Sequence, residues 1–220
     1  LKLLYPALVT VDIVGYGQDT PYREMKAYDL LVQAESGLCS VTGTKETPCK
    51  VGVSIADMGT GMNAYAAVLE ALIERGRTGG GKALEIAMFD SVAEWMSVPL
   101  LQLETGGKTT ERFGLAHASI YPYRPYHCKD GDVLIAVQNN AQWRKLCNTI
   151  LIQPALANDQ RFSNNALRVQ NREALDTIIL NVTNGLNVAT LIKRIEKAGS
   201  AYARLSTLED LSCHTALRRQ

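Results

Sequence analysis

Apolar and polar residues follow two different periods along the first half of the chain. Residues 8–14 alternate as a strand does, and residues 27–35 repeat apolar side chains at helical spacing. Residues 59–75 form a longer helical pattern, and residues 84–88 alternate again around Glu85. This succession of strand and helix predicts an α/β unit with parallel strands.

Short polar signals separate these elements. Residues 91–94, Ser-Val-Ala-Glu, have the S-x-x-E form of a capping box and predict that a helix begins there. Residues 79–82, Gly-Gly-Gly-Lys, lack the spacing of a phosphate loop and lead into a strand, so they indicate a plain turn. Residues 102–112, with their Gly-Gly pair, are typical of a linker.

Beyond this linker the pattern predicts a smaller α+β domain. Asp130-Gly131 lies between two apolar runs and indicates a β-hairpin. Helical segments are predicted at 141–150, 172–183 and 188–198. Asn187 is the expected N-cap of the last segment, and Gly199 its C-terminal stop. Residues 201–220 have no clear pattern.

The composition narrows the class of protein. Hydrophobic residues make up 46% of the 220 and charged residues 20%, as in ordinary globular proteins. Because 23 Lys and Arg balance 22 Asp and Glu, the net charge of +1 argues against a dedicated nucleic-acid surface. No apolar run reaches the roughly 18 residues that cross a bilayer, and no signal-peptide pattern is present. We therefore expect a cytoplasmic protein without nucleic-acid or membrane partners.

The cysteines and histidines do not suggest a metal site. The five cysteines are scattered, and with the three histidines they give no metal-ligand spacing. No CxxC pair is present, which favours reduced thiols. A Ser-His-Asp triad would need a G-x-S-x-G elbow, which the sequence lacks. We expect neither a metal nor a tightly bound cofactor.

The remaining candidate for chemistry is Asp57, which follows an apolar run and precedes Gly59 and Gly61. We expect it at a strand-to-helix junction, where a carboxylate can be held still, partly desolvated and close to a ligand. Such an acid can act as a nucleophile. A simpler role is to cap the following helix, since Asp is a common N-cap. The two roles are compatible, because a helix N-terminus favours the ionised carboxylate.

Short motifs in a fixed order resemble the class III CoA-transferase family, which includes carnitine CoA-transferases and α-methylacyl-CoA racemases. No single motif is decisive, but the ordered set is specific and covers nearly the whole chain. The motifs lie at 26–29 (Lys-Ala-Tyr-Asp), 33–37 (Gln-Ala-Glu-Ser-Gly), 42–43, 51–61 (through Ala-Asp-Met-Gly-Thr-Gly), 71–81, 85–90, 114–123 (from Gly-Leu-Ala-His-Ala-Ser), 130–131 and 159–175.

The resemblance implies that Asp57 is the catalytic aspartate. Its carboxylate would attack an acyl-CoA thioester to give an acyl-aspartyl anhydride, and the CoA thiolate would return to form an aspartyl-CoA thioester. An acceptor carboxylate would then take CoA through a second anhydride. Coenzyme A is thus a substrate, and the implied partners are acyl-CoA and carboxylates. Dicarboxylate CoA esters are preferred, because His117 and loop N–H groups could bind a second carboxylate.

Further site residues follow from the same resemblance. Lys26 lies where family members place a basic residue near the CoA phosphates, and Tyr28 is assigned to CoA binding beside it. A loop would close over the aspartate from the small domain, and its N–H groups could stabilise an oxyanion. This substrate loop consists of Gly114, His117, Ala118 and Ser119. A solvated lysine and a structural histidine remain the simpler alternatives.

The fold implied is α/β: part of a Rossmann-like large domain linked to a small α+β domain, in an interlocked homodimer. The expected boundaries are 1–104 for the large CoA-binding domain with the aspartate, 105–120 for the linker and active-site loop, 121–200 for the small domain and 201–220 for the start of a return linker. Family members also have a nucleotide-binding half that these 220 residues lack.

Two other functions are left open. An α-methylacyl-CoA racemase would carry a catalytic histidine where Tyr28 stands, and a phenol is a poor substitute in that acid/base role, which favours the transferase. A truncated, non-catalytic fragment acting as a dimerisation or folding module is the alternative from another class.

Overall fold

The computed structural model describes residues 3–218. These residues form two compact units, which divide between Gly114 and Leu115. Each unit has its own buried apolar core. Together they are a mixed α/β fold of helices and two small sheets.

The first unit contains a parallel pair of strands and five helices. Strands β1 and β2 pair with Thr10 opposite Ala83 and Val14 opposite Ala87, so the predicted parallel arrangement is confirmed. The elements are β1 (Thr10–Val14), α1 (Asp29–Glu35), α2 (Leu38–Val41), α3 (Ile55–Thr78), β2 (Ala83–Ala87), α4 (Met88–Trp95) and α5 (Ser97–Gly106).

The core of the first unit is formed where α1, α3 and α4 meet. Val32, Ala56 and Val92, one from each helix, are fully buried. Ala27, Leu38 and Met88 pack around them. Because this core is small, the few polar contacts beside it carry much of the local order.

The helices of this unit depart from their predicted bounds in two places. The helix predicted from Ser91 begins at Met88, because β2 runs directly into α4, and the extended Ala87 is its N-cap. Ser91 lies inside the helix and donates its Oγ–H to the Ala87 carbonyl (2.9 Å), so the predicted capping box is wrong. The first part of the linker predicted at 102–112 is helical, since α5 continues to Gly106.

The turn predicted at 79–82 is confirmed. Gly79 ends α3 with φ 73°, a left-handed conformation that glycine adopts without strain. Its N–H donates to the Arg75 carbonyl at 2.8 Å.

The second unit contains an antiparallel sheet of order β3-β4-β5 and five α-helices. Cys128 lies opposite Gly131, so Lys129 and Asp130 form the turn of the predicted hairpin, which is confirmed. The elements are β3 (Tyr123–Cys128), β4 (Gly131–Ala136), α6 (Asn140–Lys145), which continues as a π-helix over Leu146–Ile150, α7 (Asn165–Gln170), α8 (Arg172–Thr183), α9 (Val188–Ala198), β5 (Ala201–Arg204) and α10 (Leu208–Ser212).

The C-terminal part of this unit contains more regular structure than predicted. Helices α8 and α9 have the predicted bounds, and Gly199 ends α9 with φ 57°. The Asn187 side chain, however, makes no capping bond; the Asp130 carboxylate accepts the Val188 N–H instead (2.7 Å). The region predicted to lack a pattern contains β5 and also α10, which begins with a capping box formed by Thr207 and Asp210.

Arg168 is a charged residue that is fully buried in the second unit. Its Nε–H donates to the Tyr121 carbonyl (2.9 Å), and its Nη1 donates to the Phe162 carbonyl (3.0 Å) and to Asn140 Oδ1 (3.1 Å). Its guanidinium lies 5.2 Å from the centre of the Trp143 ring. One side chain thus joins three segments that are distant in sequence.

Within residues 3–218 no single helix is long and apolar enough to cross a membrane, and only the pair α8 and α9, bent by 112°, meets that test on length and composition. No group of three or more His, Cys, Asp or Glu side chains in the same described range could hold a metal ion. All five cysteines are free thiols.

Replacing Arg168 with Met should destabilise the second unit by about 2–4 kcal/mol, because two carbonyls and an amide lose a buried charged donor. The measurement is urea unfolding followed by Trp143 fluorescence in a Trp95→Phe background. Arg161→Met is the matched control, since exposed Arg161 pairs with Asp159 at the surface and should contribute little. Equal destabilisation by both substitutions would contradict this account.

Candidate active site

Asp57 lies in the first turn of α3 and is exposed to solvent. Helix α3 begins at Ile55, and the residues before it are irregular, so the predicted strand-to-helix junction is wrong. The N-cap is Ser54, not Asp57, and no side chain of the helix itself caps its N-terminus. No hydrogen bond or ion pair joins the Asp57 carboxylate to another residue within 3–218. The Asp57 carboxylate is therefore exposed and unpaired within the described residues.

Helix α1 supplies the cap that α3 lacks. Asp29 Oδ1 accepts the N–H of Ala56 at 2.8 Å, and Asp29 Oδ2 accepts Gln33 Nε2–H, also at 2.8 Å. Gln33 Oε1 in turn accepts the Val51 N–H at 2.9 Å, and its side chain is fully buried. We name Asp29 and Gln33 the α1 clamp. The clamp was not predicted from the sequence, although its i, i+4 spacing on one helix face was visible there.

The carbonyl and the side chain of Ala56 are held as well. Thr60, itself buried, donates its Oγ1–H to the Ala56 carbonyl at 2.7 Å. The Ala56 side chain is enclosed with Val32 and Val92. The residue that immediately precedes Asp57 is therefore held through its N–H, its carbonyl and its methyl group.

Gly59 allows α4 to approach α3 one half-turn beyond Asp57. A Cβ at Gly59 would lie 2.2 Å from Cη2 of Trp95, so any side chain there would collide with the indole. Gly61, two positions later, has nothing within 4 Å of an added Cβ. Gly59 and Gly61, which follow Asp57, thus have different roles inside a continuous helix.

Lys26 and Tyr28 lie on the segment that leads into α1. Tyr28 is the N-cap of α1 and is 71% exposed, and Lys26 is exposed two positions earlier. Asp29 follows Tyr28 directly, and it binds the residue that precedes Asp57. The structure therefore brings the chain segments of Tyr28 and Asp57 together at one hydrogen bond.

His117 has a defined ring orientation in the second unit. Its Nδ1 accepts the N–H groups of Ser119 and Ile120, each at 3.1 Å. Its ring stacks on Tyr123 with centroids 5.3 Å apart, and its backbone N–H donates to the Tyr123 carbonyl. Because Nδ1 is an acceptor, the proton of the neutral ring lies on Nε2. The exposed edge of His117 thus presents an N–H donor.

Side chains from α7 and α8 hold the loop that carries His117. Asn165 Nδ2–H donates to the Ser119 carbonyl (2.8 Å), and Arg172 Nη2–H donates to the Ala118 carbonyl (3.0 Å). The Ser119 N–H is already bonded to His117, so it is not available as the oxyanion donor expected from the sequence. Gly114 is separated from this group: it ends the first unit, with φ 59°, and its N–H donates to the Gly43 carbonyl.

The strand that follows the loop is anchored by Asp176. Its carboxylate accepts the hydroxyls of Tyr121 and Tyr126 and pairs with Arg124. Burial, with help from the Asp176 carboxylate, raises the pKa of Tyr121 to about 12. Tyr121 therefore remains a hydrogen-bond donor at neutral pH and holds the end of the His117 loop in place.

Comparisons with known protein families, curated proteins and solved structures point to the same family. A model described as CoA-transferase family III matches residues 1–220. Succinate–glutarate CoA-transferase of Agrobacterium fabrum is 32% identical over 212 residues, 96% of this chain and 53% of that protein. Succinyl-CoA:glutarate CoA-transferase of Mus musculus is 33% identical over 207 residues, 94% of this chain and 47% of that protein.

The solved structure of a CAIB/BAIF family protein from Brucella suis is similar to this chain, with a TM-score of 0.82 and 33% identity. The match covers 97% of this chain and 57% of that one. The chain spans about half the length of the curated relatives it matches.

Gly59→Ala and Gly61→Ala should change stability in opposite directions. The first should cost about 1–3 kcal/mol by forcing Trp95 away from α3, and the second should gain about 0.5–1 kcal/mol by reducing the entropy of the unfolded chain. Urea unfolding measures both, and Trp95 fluorescence in a Trp143→Phe background should shift to the red only for Gly59→Ala. Two substitutions with the same sign would contradict the close helix contact.

Proposed function

The chain belongs to CoA-transferase family III, and we propose that it carries the catalytic aspartate of an enzyme that moves CoA between carboxylic acids. The observation that supports this most is Asp57 itself. Its carboxylate is exposed and unpaired within the described residues, while the backbone immediately before it is held on every side. A nucleophile needs a side chain that is free to react and a backbone that holds this side chain in a fixed position.

The reaction we propose proceeds by nucleophilic exchange at acyl carbons. An Asp57 oxygen attacks the thioester carbonyl of the donor and expels CoA thiolate, which leaves an acyl-aspartyl anhydride. The thiolate attacks the aspartyl carbonyl and releases the donor carboxylate. An acceptor carboxylate then attacks the aspartyl-CoA thioester and expels CoA thiolate, which leaves a second anhydride between the acceptor and Asp57. The thiolate finally attacks the acceptor acyl carbon of this anhydride, forms the product acyl-CoA and releases the Asp57 carboxylate. No proton has to be moved in any of these steps.

The geometry around Asp57 suits this chemistry. Its side chain has no hydrogen-bond partner among the described residues that would have to be broken before attack. Lys26 and Tyr28, exposed on the segment that leads into α1, are the groups of this unit that we propose to contact CoA, through the phosphates and the pantetheine or base respectively. Anhydrides hydrolyse, so the bound substrates themselves must keep water from Asp57.

We further propose dicarboxylate CoA esters as substrates. Because Nδ1 of the exposed His117 ring accepts the Ser119 and Ile120 N–H groups, its N–H lies on Nε2, and such a donor can bind the distal carboxylate of a dicarboxylic acid. Relatives that are about one-third identical act, by their names, on succinate and glutarate. Racemisation is less well supported, because Tyr28 is a phenol where that reaction needs a histidine. Retention of α-deuterium during prolonged incubation in light water would agree with the transferase.

Asp57→Asn should lower CoA transfer by about a thousandfold or more, because an amide cannot form the anhydride. Incubation of the protein with acyl-CoA and hydroxylamine should convert Asp57 to a hydroxamate that peptide mass spectrometry detects. Asp90→Asn is the matched control, since Asp90 is an exposed carboxylate in the first turn of α4. The covalent route would be excluded if the wild type transferred CoA but never accumulated the modification.

His117→Asn should raise the KM for a dicarboxylate acceptor about 10- to 100-fold and leave a monocarboxylate of equal chain length unaffected. Asn keeps an acceptor for the Ser119 and Ile120 N–H groups but lacks the Nε2–H. His117→Gln, which can place an amide N–H near that position, should recover part of the loss. Steady-state kinetics with both acceptors measures the effect; an equal rise for the two acceptors would argue for a structural histidine.

A further inference from the structure

Gln33 is the most deeply buried polar residue of the first unit within residues 3–114. Its relative exposure is 0%, and both ends of its amide are bonded: Nε2–H to Asp29 and Oε1 to the Val51 N–H. Burying an amide is costly unless its hydrogen bonds are made. These two bonds fix the orientation of the Gln33 amide, and the amide in turn fixes the positions of the groups it binds.

The backbone N–H groups that this network binds lie at the two ends of one short segment. Gln33 holds the N–H of Val51 directly, and through Asp29 it holds the N–H of Ala56. The residues between them contain no regular secondary structure before α3 begins at Ile55. The α1 clamp therefore determines where the first turn of α3 starts.

We propose that Gln33 is a positioning residue for Asp57: by orienting the Asp29 carboxylate and fixing residues 51–56, it sets the position of the nucleophile. This inference rests on the function proposed above. Gln33 is buried and does not touch substrate, so it acts only through the backbone.

The position of Asp57 depends on that backbone. No side chain within residues 3–218 hydrogen-bonds to it, so nothing else fixes its oxygens before substrate binds. A displacement of about 1 Å at a reacting group can cost about a hundredfold in rate. Loss of the clamp should therefore reduce kcat and leave substrate binding largely intact.

Gln33→Glu makes this role dependent on pH. The new carboxyl would face Asp29 Oδ2, and two facing carboxyls share one proton, which raises the pKa of one of them. With that proton bound, its O–H donates to Asp29 while its carbonyl oxygen accepts the Val51 N–H, as Gln33 does. When the proton is lost at higher pH, two negative charges oppose each other and the clamp opens.

Other titratable groups also lie on the elements around this site. They are Glu35 on α1, Cys39 on α2, Lys50, whose Nζ donates to the carbonyls of Val51 and Gly52, Asp57 on α3, and Asp90 and Glu94 on α4. All of them are present in the wild type as well, so a pH dependence that only Gln33→Glu shows comes from the new carboxyl.

The experiment compares pH profiles of kcat and KM for the protein carrying this chain. For Gln33→Glu we expect kcat to be near the wild-type value at the acid end and to fall about 10- to 100-fold as pH rises, with KM for acyl-CoA within about twofold. Ala34→Glu, which adds a carboxylate to the exposed neighbouring position of α1, should follow the wild-type profile. Circular dichroism at each pH verifies that the variants are folded.

The outcomes separate this inference from the proposed function. If the wild type forms the Asp57 hydroxamate but the Gln33→Glu profile superimposes on that of Ala34→Glu, the positioning role is overturned and the function stands. The positioning role is also overturned if KM changes in place of kcat, or if the loss of rate only follows unfolding. A wild type that transfers CoA without the hydroxamate overturns the covalent function, and positioning with it. Gln33→Leu, which makes neither bond, should be slow at every pH.

Discussion

A helix that carries a nucleophile in its first turn has a conflict to resolve. Its N-terminal N–H groups need acceptors, and the nearest carboxylate is the nucleophile, which must stay free. In this chain the Asp29 carboxylate of α1 accepts the Ala56 N–H and leaves Asp57 unpaired within the described residues. The buried Gln33 orients Asp29 and ties down Val51. The active-site geometry we propose depends on this cap, which a residue of α1 supplies to α3.

The same contact joins the hydrogen-bond network to the small core of the first unit. Ala56 is at once the bonded peptide and a member of the apolar cluster with Val32 and Val92, so polar and apolar restraints meet at one residue. Gly59 then lets Trp95 lie against the next half-turn of the helix. These restraints meet at the start of α3, where the proposed chemistry requires them. In the second unit the His117 loop is restrained in a comparable way by Asn165 and Arg172.

Local sequence patterns predicted some of these features correctly and missed others. The parallel strands, the Asp130-Gly131 hairpin and helices α8 and α9 follow from period and turn chemistry, and the structure confirms them. The Ser91 capping box failed because β2 continues directly into α4, which no local motif encodes. The cap on α3 was missed because Asp29 and Ala56 lie 27 positions apart. The catalytic role of Asp57 stays a prediction, and the Asp29 contact that holds the residue before it is tertiary and had no local signal.

The central claim is that the Asp57 carboxylate takes one oxygen from the acceptor carboxylate during each transfer, having released one of its own with the donor carboxylate. The most direct measurement is a single turnover with an acceptor whose carboxylate oxygens are both ¹⁸O, followed by mass spectrometry of the peptide that contains Asp57. The mechanism predicts one heavy oxygen in the Asp57 side chain, because the bridging oxygen of the second anhydride stays with the aspartate when the thiolate attacks the acceptor acyl carbon. Formation of the product acyl-CoA with no heavy oxygen at Asp57 would contradict the account.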